Sequence, residues 1–96
     1  MENTKTKLNI DYVKIQAELE SMTGHDFEKA EQSARMLGDR TIDLALSRNF
    51  HAILAAKALQ VPIDDIKDLP IRDYQKVTSI VASFLFQDLE GAQVSL

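Results

Sequence analysis

The apolar pattern of this 96-residue chain predicts an all-α fold, built as a small single-domain bundle. Three main helices are expected at about residues 24–37, 48–59 and 71–86. A short turn of helix near 63–68 and an irregular or partly extended N-terminal segment complete the expectation. Three observations carry it. From Ile71 onward, Tyr74, Val77, Val81, Phe84 and Leu85 trace one helical face without a gap. Helix start and stop residues bracket the expected segments. An apolar share of 45% with 27% charged residues is that of a globular domain and not of a disordered chain.

Taken in order, residues 1–10 are expected to form a flexible N-terminal arm, 11–87 a single helical domain and 88–96 a flexible C-terminal tail. The stretch from Leu8 to Met22 reads two ways. Ile15, Leu19 and Met22 recur at helical spacing behind a capping candidate, Asp11, whereas Leu8 to Tyr12 alternates like a short strand. Thr23-Gly24-His25-Asp26 has the form of a capping box, in which hydroxyl and carboxylate satisfy each other's backbone amides. Phe27, Ala30, Ala34 and Leu37 follow on one face, Glu31 and Arg35 form a surface pair, and Gly38 stands where a left-handed residue ends a helix.

Between Asp39 and Leu46, Ile42, Leu44 and Leu46 alternate with Asp43 and Ala45, so this connection is expected to run extended across the core. Ser47 is a suitable N-cap for the helix Arg48–Leu59, with a stripe of Phe50, Ile53, Leu54 and Leu59. Ala52, Ala55, Ala56 and Ala58 would let neighbours approach closely, so this helix is expected to be central. Pro62 removes a donor and ends it, and Pro70 is preorganised to start the last helix.

The chemistry-bearing residues are few. There is no cysteine, hence no disulfide and no thiolate metal site. MENTKTKLNIDY lacks the apolar region of a signal peptide, and the apolar stretch Ile80–Phe86 is too short to span a bilayer. A net charge of −4 with scattered Lys and Arg argues against phosphate-driven nucleic-acid binding. His25 and His51 have no partner at metal-ligand spacing and read as surface or boundary residues. Asp64 and Asp65 are adjacent, so their side chains diverge, and they suit the start of a short helical turn. No group of residues offers a base, a nucleophile and an oxyanion site together, so neither an enzyme nor a cofactor is expected.

Two features do not fit a simple core stripe. Lys57 falls on or beside the apolar face of its helix, where its stem can pack while the ammonium reaches water; a structural ion pair with Asp73 is the alternative. With Val81 at zero, Ile80 lies at about −100° and Phe86 at about +140° around the last helix, so Phe86 cannot share the main face. It belongs to a fraying final turn, packs under the N-terminal segment, or is part of an exposed apolar patch that meets a partner.

In order along the chain stand Thr23-Gly24-x-Asp26, Ala30-Glu31, Leu37-Gly38-Asp39, Ala55-Ala56-Lys57-Ala58, Val61-Pro62, Leu69-Pro70-x-x-Asp73-Tyr74, Val77 and Phe84-Leu85. This ordered set resembles the tail assembly chaperones of tailed bacteriophages, small proteins encoded beside the tape-measure protein in phage and prophage tail operons. It covers about two-thirds of the chain, and each element alone is ordinary helix punctuation. The resemblance implies a non-enzymatic chaperone of the host cytoplasm that keeps the tape-measure protein soluble during virion morphogenesis and is then shed. It also implies the major tail protein as a second partner where a frameshift extends the C-terminus. Self-association is compatible with it and not predicted by it.

A holdase of this kind needs an accessible apolar surface for a partner helix. Ile53, Ile80, Phe84, Phe86 and Leu89 are the candidates, because they depart from the single core stripe. Two other classes compete. One is a structural virion protein such as a head–tail connector or tail-completion component. The other is a small helical regulatory protein binding DNA, against which the acidic balance and the lack of a basic recognition helix count.

Overall fold

A computed structural model describes the backbone of residues 10–94 and the side chains of residues 10–87. Five α-helices follow one another: α1 (Tyr12–Ser21), α2 (Gly24–Met36), α3 (Arg48–Leu59), α4 (Ile63–Lys67) and α5 (Ile71–Val94). A single 3₁₀ turn, Leu44–Leu46, interrupts the α2–α3 connection, and no strand occurs among the described residues. The radius of gyration, 13.7 Å, is close to the ~12.5 Å expected of a compact chain of this length.

The ambiguity near the N-terminus resolves as helix. Asp11 caps α1 by accepting from the Lys14 amide at 3.0 Å, and Ile15 and Leu19 are buried. The description of three main helices with an irregular N-terminal segment is therefore corrected to five helices among the described residues. Alternation over Leu8–Tyr12 loses to the helical spacing that continues through Leu19, because only the latter places two large side chains in the core. Most of the expected arm falls outside the described residues, as do the side chains of the expected tail. The backbone of α5 continues past Phe86 to Val94.

The punctuation of α2 and α3 is as the sequence suggests. Both halves of the Thr23–Asp26 capping box form. Gly38 adopts φ +95°, its amide bonds the Arg35 carbonyl and the Asp39 amide bonds Ala34, so the last carbonyls of α2 are satisfied. Ser47 caps α3 through the Phe50 amide. That helix ends at Leu59, three residues before the proline: Gln60 turns left-handed at φ 60°, and the Val61 amide returns to the Ala56 carbonyl.

Packing centres on α3, which contacts each of the other four helices. Its alanines 52, 55, 56 and 58 are buried together with Phe50, Ile53 and Leu54. Phe27 of α2 meets Phe50 edge to face at 5.1 Å between ring centroids. Lys76 of α5 lies 4.8 Å over the Tyr12 ring, a cation–π contact between α1 and α5. The α4 turn contributes Ile66, and Leu69 follows it into the core.

Several expected core residues point elsewhere. Leu37 is exposed because α2 ends at Met36 and the C-cap swings its side chain off the stripe. Ile71 is exposed too, so the buried face of α5 begins at Tyr74. Of the alternating trio in the α2–α3 connection only Leu44 is buried, while Ile42 and Leu46 face outward. The Asp39–Leu46 segment is thus a surface loop with one apolar anchor, not an extended strand across the core.

Candidate partner-binding surface

Helix α5 supplies most of the candidate surface. Val77, Thr78 and Val81 point into the bundle, with the Thr78 hydroxyl donating to the Tyr74 carbonyl at 2.9 Å. Ile80, Phe84 and Phe86 are half-buried, and Ile80 and Phe84 pack on the rim of the core. Ile53 lies within the core at 6% exposure, so it cannot extend an outer surface. The reason is that the other four helices pack around α3, which encloses Phe50, Ile53 and Leu54. The side chain of Leu89 lies outside the described residues.

Two clefts adjoin at Phe84. The first, about 260 Å³, is lined by Leu19 and Met22 of the α1 end, Thr23, Gly24 and Phe27 of the α2 start, Leu54, Phe84 and Leu85. Its walls are almost wholly apolar side chain. The second, about 290 Å³, runs between α1 and α5 and is lined by Gln16, Lys76, Ser79, Ile80, Ser83, Phe84 and Gln87. The sequence singled out Ile80 and Phe84 but missed the opposite wall, Leu19, Met22 and Phe27. These read as ordinary stripe residues, and only the meeting of α1 with α2 turns them toward a common gap.

Lys57 and Asp73 are not brought together. Lys57 is exposed and acts on Asp26, whose carboxyl is held below its usual range chiefly by the Thr23 amide, with Lys57 and Lys29 adding to the effect. Asp73 acts instead on Tyr12, whose phenol is pushed up by burial first and by that carboxylate second. Arg35 does not serve a surface pair with Glu31 either. Its guanidinium donates to the carbonyls of Asp39 at 3.0 Å, Thr41 at 2.7 Å and Ile42 at 3.4 Å.

The loop these carbonyls belong to is pinned from its other side by Asp39. That carboxylate accepts from the Ser47 hydroxyl at 2.5 Å, the Asn49 amide group at 3.1 Å and the Thr41 backbone at 2.9 Å. The Ser47 hydroxyl, then Thr41, holds it well below the usual carboxylate range. His51, just inside α3, is buried, and its Nε2–H donates to the Ala45 carbonyl at 2.7 Å. Burial pushes its pKa down; the Ala45 bond opposes this and the Arg48 charge reinforces it. His25, by contrast, is exposed at the start of α2. No cluster of three potential metal ligands exists among the described residues, and no helix of the structure is long and apolar enough to cross a membrane.

Residues 16–85 match the family described as phage tail assembly chaperone proteins, E, or 41 or 14. No curated protein and no solved structure matches the chain. The matched span begins in α1 and ends in α5 at Leu85, and so takes in both clefts except Gln87.

Proposed function

Because the chain belongs to the phage tail assembly chaperone proteins, we propose that it works by binding the tape-measure protein and keeping it soluble in the host cytoplasm. The binding is non-covalent and non-enzymatic. An amphipathic helix of the client lays apolar side chains into the paired clefts along α1 and α5, and water is excluded from both partners.

The observation that carries this reading is the junction at Phe84. Two clefts share the Phe84 side chain there, one lined by Leu19, Met22 and Phe27 and the other by Ile80 among polar side chains, and Met22, Phe27, Ile80 and Phe84 are half-buried and not sealed. A single pocket would accept one side chain. Two adjoining clefts accept residues spaced by a helical turn, which suits a long helical client.

Co-expression of the chain with the tape-measure protein tests it. Ile80→Asp and Phe84→Asp each place a carboxylate on this surface. Either is expected to weaken binding of the client by about tenfold, or about 1.4 kcal/mol, and so to lower its soluble fraction. Circular dichroism of the isolated variants should match the parent. Unchanged client solubility with both substitutions would remove the assignment.

A further inference from the structure

We propose that the loop between α2 and α3, with the facing stretch of α5, is a second docking surface, and that its occupant is an acidic amphipathic segment of a partner protein. Apolar exposure is concentrated here. Met36, Ile42 and Leu46 are exposed at 86%, 96% and 64%. Leu46 also lines a cleft of about 320 Å³ together with Arg48, His51, Thr78, Ser79 and Ala82. Of these residues only Ser79 also lines one of the two clefts that meet at Phe84. The two surfaces draw on opposite ends of α2, which lie about 18 Å apart.

Such exposure is not the by-product of a loose loop. The Arg35 guanidinium holds three of its carbonyls, Asp39 ties it to the start of α3, and His51 holds Ala45. A preorganised loop loses little conformational entropy on binding, so apolar side chains fixed outward on it form a ready contact.

Charge selects the occupant. Residues 35–48 carry three arginines against two aspartates, in a chain whose net charge is −4. Asp39 is engaged as above and Asp43 accepts from the Ala45 amide at 3.1 Å. Arg40 and Arg48 are exposed and make no hydrogen bond among the described residues. The surface therefore presents apolar anchors beside two free cations, whose complement is a segment with apolar side chains flanked by carboxylates. No Phe, Tyr or Trp lines the cleft, and the one aromatic ring there, His51, is buried and held by Ala45, which disfavours the base stacking of single-stranded nucleic acid.

The test uses the full isotope-labelled chain and two synthetic helical peptides with identical leucine anchors, one flanked by Glu and the other by Lys. The acidic peptide is expected to shift the amides of residues 40–48 and 78–82 and to bind at least about tenfold more tightly than the basic one, an advantage that added salt erodes. Arg40→Glu with Arg48→Glu should reverse the preference, a gain that misfolding cannot produce. Leu46→Asp should weaken both peptides. Phe84→Asp, outside this footprint, should leave this binding intact even where it abolishes client solubility, so the two surfaces can fail separately. Equal affinity for both peptides would overturn the proposal, as would tighter binding of an oligonucleotide than of the acidic peptide. Shifts in these amides that grow with protein concentration alone would assign the face to a second copy instead.

Discussion

His51 illustrates how a single side chain links the fold to solution conditions. Its ring is buried, one nitrogen serves the Ala45 carbonyl, and burial holds its pKa below the ordinary value. The unfolded chain therefore takes up this proton first as pH falls. The neutral ring's stabilising contribution is complete above about pH 6.5 and is lost as pH drops below that value toward the folded one. His51→Gln keeps a donor for Ala45 without titrating. Urea unfolding between pH 7.5 and 5.5 is expected to show parental stability falling with acid and the Gln variant staying nearly flat; equal slopes would show that another group is responsible. Little of this was legible beforehand. His51 follows the stripe residue Phe50, and helical geometry alone put it on a boundary; it is buried because a 3₁₀ turn and α5 both cover that side of α3. The capping residues were legible, since Thr23, Asp26, Gly38 and Ser47 act on their own neighbours and need no knowledge of tertiary contacts.

At the scale of elements, α3 is held by what its side chains leave out. Ala52, Ala55, Ala56 and Ala58 allow α1, α2, α4 and α5 to pack around one short helix. A larger side chain must push one of them away. Ala55, fully buried, is the sharpest probe: Ala55→Leu is expected to cost about 1–3 kcal/mol by overpacking, read as a lower denaturant midpoint with little change in slope. An unchanged midpoint would mean that a void near Ala55 absorbs the side chain. The alanine content announced this central role in the sequence, and the boundaries of α3 were legible to the residue. Errors arose where periodicity had no partner to refer to. Leu37 and Ile71 continue their stripes in register yet lie at helix ends that nothing covers, and Ile42 alternates correctly on a loop that never enters the core. Ile66 and Leu69 err the other way: two short apolar steps between prolines were too brief to mark a face, but α4 folds them against α3. Half of the candidate cleft was hidden for a similar reason, because its wall comes from Leu19, Met22 and Phe27 on different helices.

For the whole molecule the deciding quantity is charge. The fold leaves Met36, Ile42, Leu46 and Ile71 on its surface, half-covers Ile80, Phe84 and Phe86, and still has to remain dispersed. A protein that shields apolar segments of another chain takes on more such surface whenever its client is only partly covered. Excess negative charge opposes the resulting association through mutual repulsion, without contributing to the core. Glu20→Gln, Glu28→Gln, Asp65→Asn and Asp68→Asn together bring the formal charge of −4 to zero at exposed positions. Asp65 and Asp68 lie at opposite ends of α4, so their dipole effects largely offset each other and the thermal midpoint should move by only a few degrees. Solubility should not be spared. The neutralised chain is expected to precipitate at distinctly lower ammonium sulfate than the parent at pH 7. Equal precipitation points for the parent and the neutralised chain would place the control of dispersal in the polar surface itself, independent of its charge.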